Sequence, residues 1–162
     1  MTQRLHHMAF RCRCSEETRR FYEEVIGLPL VGALPIEATA TGRKVHVLHT
    51  FFALKDGSHL AFFEVPDSPF EFKPQHDFDL HMALEADQED IDRAVAAAKA
   101  RGVEVRGPSD HGFIRSTYFR DPNGYVIELS VKTPIHQMWE EEAPKAARAI
   151  LDSWKAKTAE PA

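Results

Sequence analysis

Along residues 5–13 apolar Met8, Phe10 and Cys12 alternate with His7, Arg11 and Arg13, the period-two signature of a strand with two unlike faces. The period then lengthens. Ser15 suits a helix N-cap, Glu17 and Thr18 fill the first turn, and Phe21, Tyr22, Val25 and Ile26 recur at helical spacing until Gly27. Residues 28–34 read as a short strand broken by Gly32, and 35–44 as a polar loop. Residues 45–54 and 59–65 are β-rich runs joined by Lys55-Asp56-Gly57-Ser58, whose Asp-Gly step is a hairpin signal. After a Pro-rich, aromatic connector at 66–77 the order repeats: strand 78–85, helix 88–101, then strands 103–106, 115–120 and 125–132, the last following the turn Asp121-Pro122-Asn123-Gly124.

The repetition extends to the residues themselves. His-Met-Ala-Phe at 7–10 is matched by His-Met-Ala-Leu at 81–84, and Gly27-Leu28 by Gly102-Val103, so the copies stay in step across a strand, a helix and a turn. Two strand–helix–strand–strand–strand units with such short connections predict an α+β fold, not a doubly wound parallel sheet. The expected organisation is one domain over 1–132, with module one at 4–65 and module two at 78–132, followed by a helical extension at 133–162. There Pro144 suits a helix start, and Trp139, Ala143, Ala147, Ile150, Leu151 and Trp154 form an apolar stripe. That helix is expected to pack on its own domain, with a dimer contact or a lid over the site as alternatives.

Composition narrows the function classes. With 43% apolar residues among 162, the chain can bury a core, and a net charge of −5 without a basic stripe gives no footprint for nucleic acid. No run approaches the roughly 18 apolar residues of a membrane span, and the N-terminus opens straight into a strand pattern, as expected of a soluble cytoplasmic protein. Cys12 and Cys14, two apart on one strand, are expected as reduced thiols.

Nine histidines raise the question of which converge. His7 and His81 hold equivalent places in the two copies, so a pseudo-two-fold assembly can bring them together. Glu128 stands within the apolar run Tyr125-Val126-Ile127-Glu128-Leu129, where an unpaired carboxylate costs several kcal/mol, on the order of a broken buried ion pair. Two histidines and a carboxylate form the set that suits octahedral Fe(II) or Mn(II). Taken singly, each residue has an ordinary structural explanation; the joint pattern points to a metal.

Four segments carry a resemblance to the vicinal oxygen chelate superfamily, which includes glyoxalases, bleomycin resistance proteins and type I extradiol dioxygenases. They are Leu-His-His-Met-Ala-Phe at 5–10, Thr-Arg-Arg-Phe-Tyr-Glu-Glu-Val-Ile-Gly-Leu at 18–28, Leu-His-Met-Ala-Leu at 80–84 and Tyr-Phe-Arg-Asp-Pro-Asn-Gly-Tyr-Val-Ile-Glu-Leu at 118–129. The resemblance implies two βαβββ modules forming a curved mixed sheet around a metal cleft, with His7, His81 and Glu128 as ligands. Laying Gly57 on Gly124 puts Ala61 opposite Glu128, so the fourth strand offers no ligand unless a bulge turns Glu64 inward. Three ligands leave room for a chelating substrate and O2, and Tyr118, ten residues before Glu128, matches a substrate-side tyrosine of the ring-cleaving enzymes.

The resemblance thus implies an Fe(II) dioxygenase acting on a small vicinal diol of catechol type, with Tyr118 catalytic. It departs from that pattern in having two modules where four are commoner, and Pro66-Asp67 where a second-sphere histidine is usual. His49, His59, His76 or His111 remain as substitutes. The alternatives are a glyoxalase-like isomerase or thiol transferase using Mn(II), Ni(II) or Zn(II) as a Lewis acid, and a metal-free bleomycin-type binding protein. A homodimer is implied, with ligands drawn from one chain or two. Phe51, Phe52, Phe62, Phe63, Phe70, Phe72, Phe78 and Phe113 suggest an apolar pocket.

Overall fold

The computed structural model describes residues 4–158. Module one runs β1 (His7–Cys12), α1 (Ser15–Phe21) continued by a π-helical turn (Tyr22–Ile26), β2 (Leu30–Ala38), β3 (Lys44–Ala53) and β4 (His59–Glu64). Module two runs β5 (His81–Glu85), α2 (Gln88–Ala100), β6 (Val105–Asp110), β7 (Ile114–Arg120) and β8 (Val126–Lys132), and α3 (His136–Thr158) follows. The strands form two four-stranded mixed sheets, ordered β1-β4-β3-β2 and β5-β8-β7-β6, so the α+β architecture is as expected, with the sheet divided at the module boundary.

The internal repeat holds at the level of register. His7 pairs with His59 and Ala9 with Ala61, as His81 pairs with Val126 and Ala83 with Glu128. Phe51 pairs with Ala61 as Tyr118 pairs with Glu128. Because strand neighbours in register share a face, Ala61 and Phe51 hold in module one the places of Glu128 and Tyr118 in module two.

The core lies where the helices meet the sheets: Phe21, Tyr22, Val25, Phe52, Phe62, Met82, Ile91, Ala94, Phe119 and Ile127 are all buried. Met82, Ile127 and Phe119 face the helices, so alternation turns His81, Glu128 and Tyr118 away from them. The modules are tied by the Asp121 turn. Its carboxylate accepts from Tyr22 Oη at 3.2 Å, Asn123 Nδ2 donates to Thr18 Oγ1 at 3.2 Å, and Asn123 Oδ1 accepts from Arg13 N at 2.8 Å.

Several boundaries differ from the sequence reading. Cys14, not Ser15, is the N-cap of α1; it makes no side-chain cap bond, and Glu64 Oε2 accepts from Ser15 N at 2.7 Å instead. The expected loop at 35–44 shrinks to 39–43, because β2 is an edge strand on which Pro35 forfeits no ladder bond, and shifts at Leu30/Gly32 and Ile36/Ala38 absorb the irregularity. The extension is helical from His136, well before Pro144, which lies inside α3. No residue of α3 is buried, so water can pair the carbonyl that the proline leaves unmatched.

That exposure overturns the expected packing of α3 on its own domain. Ile150, Leu151 and Trp154 are 65%, 58% and 64% exposed. The helix is tethered at its first turns, where Trp139 stacks on Phe113 at 4.0 Å and His136 Nδ1 donates to Phe113 O at 3.1 Å.

Candidate metal and substrate site

The place to look is the face of sheet two turned away from the helices. Register sets Ala83, Glu128, Tyr118 and Arg106 in one row across four strands, and His81, two residues before Ala83 on β5, stands on the same face beside Val126. Across that face His81 Nε2 lies 3.4 Å from Glu128 Oε2. Glu128 is 5% exposed, and its other oxygen accepts from Ser130 Oγ at 3.0 Å.

The His81 ring has its second nitrogen committed. Nδ1 lies 3.0 Å from the Asp77 carbonyl oxygen, which can only accept, so Nδ1 carries a proton and Nε2 is the nitrogen turned toward the carboxylate. An imidazole nitrogen and a buried carboxylate at this distance are joined by a positive charge, either a proton on Nε2 or a metal ion between them. A backbone carbonyl behind the ligating imidazole is the usual arrangement at protein metal sites.

Tyr118 completes the row. Its hydroxyl lies 2.9 Å from His111 Nε2, and the Arg106 guanidinium sits 5.7 Å from its ring centre. Burial and the neighbouring Glu128 charge push the Tyr118 phenol up from its ordinary value. His111 stands on the β6–β7 turn, which is pinned by Thr133, just before α3, whose Oγ1 donates to Gly112 O at 2.7 Å, and by the stack of Phe113 on Trp139 of α3.

His7 is not part of this row. It lies on sheet one, with ring centres 5.0 Å from His6, 6.0 Å from His49 and 5.8 Å from Phe51. Among the described residues, no three His, Cys, Asp or Glu side chains gather closely enough to hold a metal ion. The chain therefore brings His81 and Glu128 together and keeps the third expected ligand apart.

The remaining candidates sort by contact. Glu64 faces α1, and no bulge turns it inward. His49 is stacked on Phe63 at 3.7 Å, with its Nδ1 donating to Phe62 O, and His59 packs near His6; both belong to sheet one. His76 Nδ1 accepts from Phe78 N within the connector. The expected aromatic pocket divides. Phe52 and Phe62 are core, Phe70 and Phe72 pack on Tyr125, Phe113 meets Trp139, and Phe78 is 89% exposed. Phe51 and Phe63 alone share the face of His7. A cavity of about 690 Å³ opens instead on the helix side of sheet two, lined by Ile91, Val95, Val105 and Val131; it touches none of these site residues.

Arg106 and Asp77 escaped the sequence reading. Counting back through the β6–β7 hairpin from Asp110 and Arg115 would have put Gly107 beside Tyr118, and only the register shift between Arg106 and Ser109 brings Arg106 there; nothing in the pattern locates Asp77, which lies in an irregular connector. The Asp77 carboxylate bridges Arg106 and Arg120, the latter at 3.2 Å; burial would raise this carboxyl, but the two guanidiniums outweigh it and hold it below its ordinary value.

Residues 4–129 match the model of the Glyoxalase/Bleomycin resistance protein/Dioxygenase superfamily. The chain belongs to this superfamily. Similar solved structures include the fosfomycin resistance protein FosX from Mesorhizobium loti, 25% identical over 85% of this chain and 98% of that one, with a TM-score of 0.62. FosX from Listeria monocytogenes, a mutant of which was crystallised with Mn(II) and 1S,2S-dihydroxypropylphosphonic acid, is 20% identical over 85% and 99%, TM-score 0.63. TnmS3, an antibiotic binding protein from Streptomyces sp. CB03234, is 23% identical over 82% and 98%, TM-score 0.59. Structures of this fold thus include one crystallised with Mn(II) and one antibiotic binding protein. No helix among the described residues is long and apolar enough to cross a membrane.

Proposed function

We propose that this chain is a divalent-metal enzyme whose metal is held by His81 and Glu128 of module two and by His7 of a second copy. The observation that carries this reading is Nε2 of His81 facing a buried carboxylate at 3.4 Å, with Nδ1 held by a backbone carbonyl. His7 occupies the register place of His81, at the exposed start of β1. A two-fold homodimer laying module one of one copy against module two of the other supplies the missing imidazole.

The reaction proposed is ring cleavage of a small vicinal diol of catechol type, with both atoms of O2 entering the product. Fe(II), when bound, supplies the open positions at which diol and O2 meet. The protein's own groups bind and orient. Ala61 and Phe51, where module two has Glu128 and Tyr118, present an apolar wall without a fourth ligand. Tyr118 Oη, 2.9 Å from His111 Nε2, forms a pair able to take a hydroxyl proton and pass it to an exposed imidazole. Arg106 beside the Tyr118 ring favours negative charge on the bound diol.

The likeness to FosX supports a second reading, in which Mn(II) acts as a Lewis acid on a substrate oxygen without O2. One experiment separates them. Anaerobically purified protein is analysed for metals and then assayed with a catechol panel in an oxygen electrode. Iron together with oxygen consumption is the result expected. Bound manganese, nickel or zinc without oxygen uptake favours the second reading, and metal-free protein after reconstitution with Fe(II) and Mn(II) overturns both.

A further inference from the structure

The connector between the modules carries no ladder hydrogen bonds, yet one of its residues reaches three parts of the site. The Asp77 carbonyl meets His81 Nδ1 at 3.0 Å. Its carboxylate is gripped by Arg106 of β6 and Arg120 of β7. Glu104 braces both arginines from the other side, at 3.4 Å and 3.5 Å, and Arg120 also donates to Gly124 O at 2.9 Å. The turn around Asp77 is closed by Asp79 N donating to His76 O at 2.8 Å and His76 N donating to Asp79 Oδ2 at 3.0 Å. An irregular peptide is thereby stapled to two adjacent strands, with its carbonyl directed at an imidazole.

We propose that Asp77 is a positioning residue: through its ion pairs with Arg106 and Arg120 it fixes the carbonyl that holds His81 as the Nδ1–H tautomer and aims Nε2 at Glu128. The same grip keeps Arg106 beside Tyr118, so one connector residue sets the geometry at both ends of the site row. A carbonyl accepts from Nδ1–H but offers nothing to a bare Nδ1, so its placement selects the tautomer as well as the ring angle. Neutralising the carboxylate frees the peptide, and the ring loses both constraints. The carbonyl's part toward a metal rests on the function proposed above; its part toward the ring does not.

The test uses the full chain and two readouts. Long-range 15N–1H spectra of the metal-free protein, at a pH where His81 is neutral, should show the Nδ1–H tautomer in the wild type and a mixture in Asp77→Ala. Titration with Mn(II) alone should show affinity reduced roughly 10- to 100-fold in Asp77→Ala, the range found when groups behind a metal ligand are removed. Asp77→Glu should recover part of both signals. Asp77→Asn, which keeps the shape and loses the charge, should fall between and serves if the alanine variant unfolds. An unchanged His81 tautomer in folded Asp77→Ala or Asp77→Asn overturns the proposal. Mn(II) uptake that is the same in wild type and His81→Ala overturns the metal reading instead, leaving the tautomer to decide the role of Asp77.

Discussion

Replacing Asp121 by alanine should loosen the joint between the modules. The carboxylate is 4% exposed and accepts from Asn123 N at 2.9 Å, Asn123 Nδ2 at 3.0 Å, Tyr125 N at 2.8 Å and Tyr22 Oη at 3.2 Å. Alanine leaves these donors facing a small void. Each buried donor left without a partner costs about 1–3 kcal/mol, and Asn123 and Tyr22 can turn to other partners, so a net loss of roughly 3–5 kcal/mol is expected. At about 2–4 °C per kcal/mol for a chain of this size, Tm should fall on the order of 10 °C. Urea unfolding followed by circular dichroism reads the loss directly, and a change below about 1 kcal/mol would refute the view that this turn ties the modules together.

The pH dependence of the same group has a defined sign. Burial pushes the Asp121 carboxyl up from its ordinary value, against the pull of its donors. A folded pKa above the unfolded one means that the contribution is fully present below the unfolded value and is lost as pH rises through the folded one. The stability difference between wild type and Asp121→Asn should therefore favour the wild type more at pH 4 than at pH 7. A difference that grows with pH contradicts this.

Three further outcomes are expected. Glu64→Ala should cost about 1 kcal/mol, the usual value of an N-terminal cap, and leave Mn(II) affinity unchanged; a loss of metal binding would return Glu64 to the site. Tyr118→Phe should lower kcat by roughly 10²- to 10⁴-fold with metal content intact, read by steady-state assay on whichever substrate the oxygen electrode identifies, and full activity would remove Tyr118 from the proton path. Trp139→Ala should cost about 1 kcal/mol through loss of the Phe113 stack, whereas Trp154→Ser should leave thermal unfolding within about 2 °C; equal effects would mean that the far end of α3 is packed after all.

The fold was legible because both of its periods and its duplication lie in local patterns. Gly57 and Gly124 aligned the halves well enough to place Ala61 opposite Glu128, and the ladders repeat that pairing. Pro35 and Pro144 misled for one reason: a proline forbids a strand or helix only where its missing N–H would be needed, and an edge strand and a fully exposed helix do not need it. Within the site, His81 was legible from the repeat, Glu128 from its place in an apolar run, and Tyr118 only from its spacing before Glu128 in the enzymes the sequence resembles. His111 was one of four open candidates, since it reaches Tyr118 by folding back from a turn. His7 shows the limit of symmetry arguments, since two repeat-related positions are equivalent without being adjacent in the same chain.

The unequal filling of equivalent register places also bears on how such a duplicated protein can change. Wherever one half holds Glu128 and Tyr118, the other holds Ala61 and Phe51, so the acid and the phenol exist once, not twice, per chain. Module one is then free to drift in size and shape at those positions without disturbing Glu128 and Tyr118. On the function proposed above, a scaffold doubled in this way separates the part that reacts from the part that shapes what it reacts with.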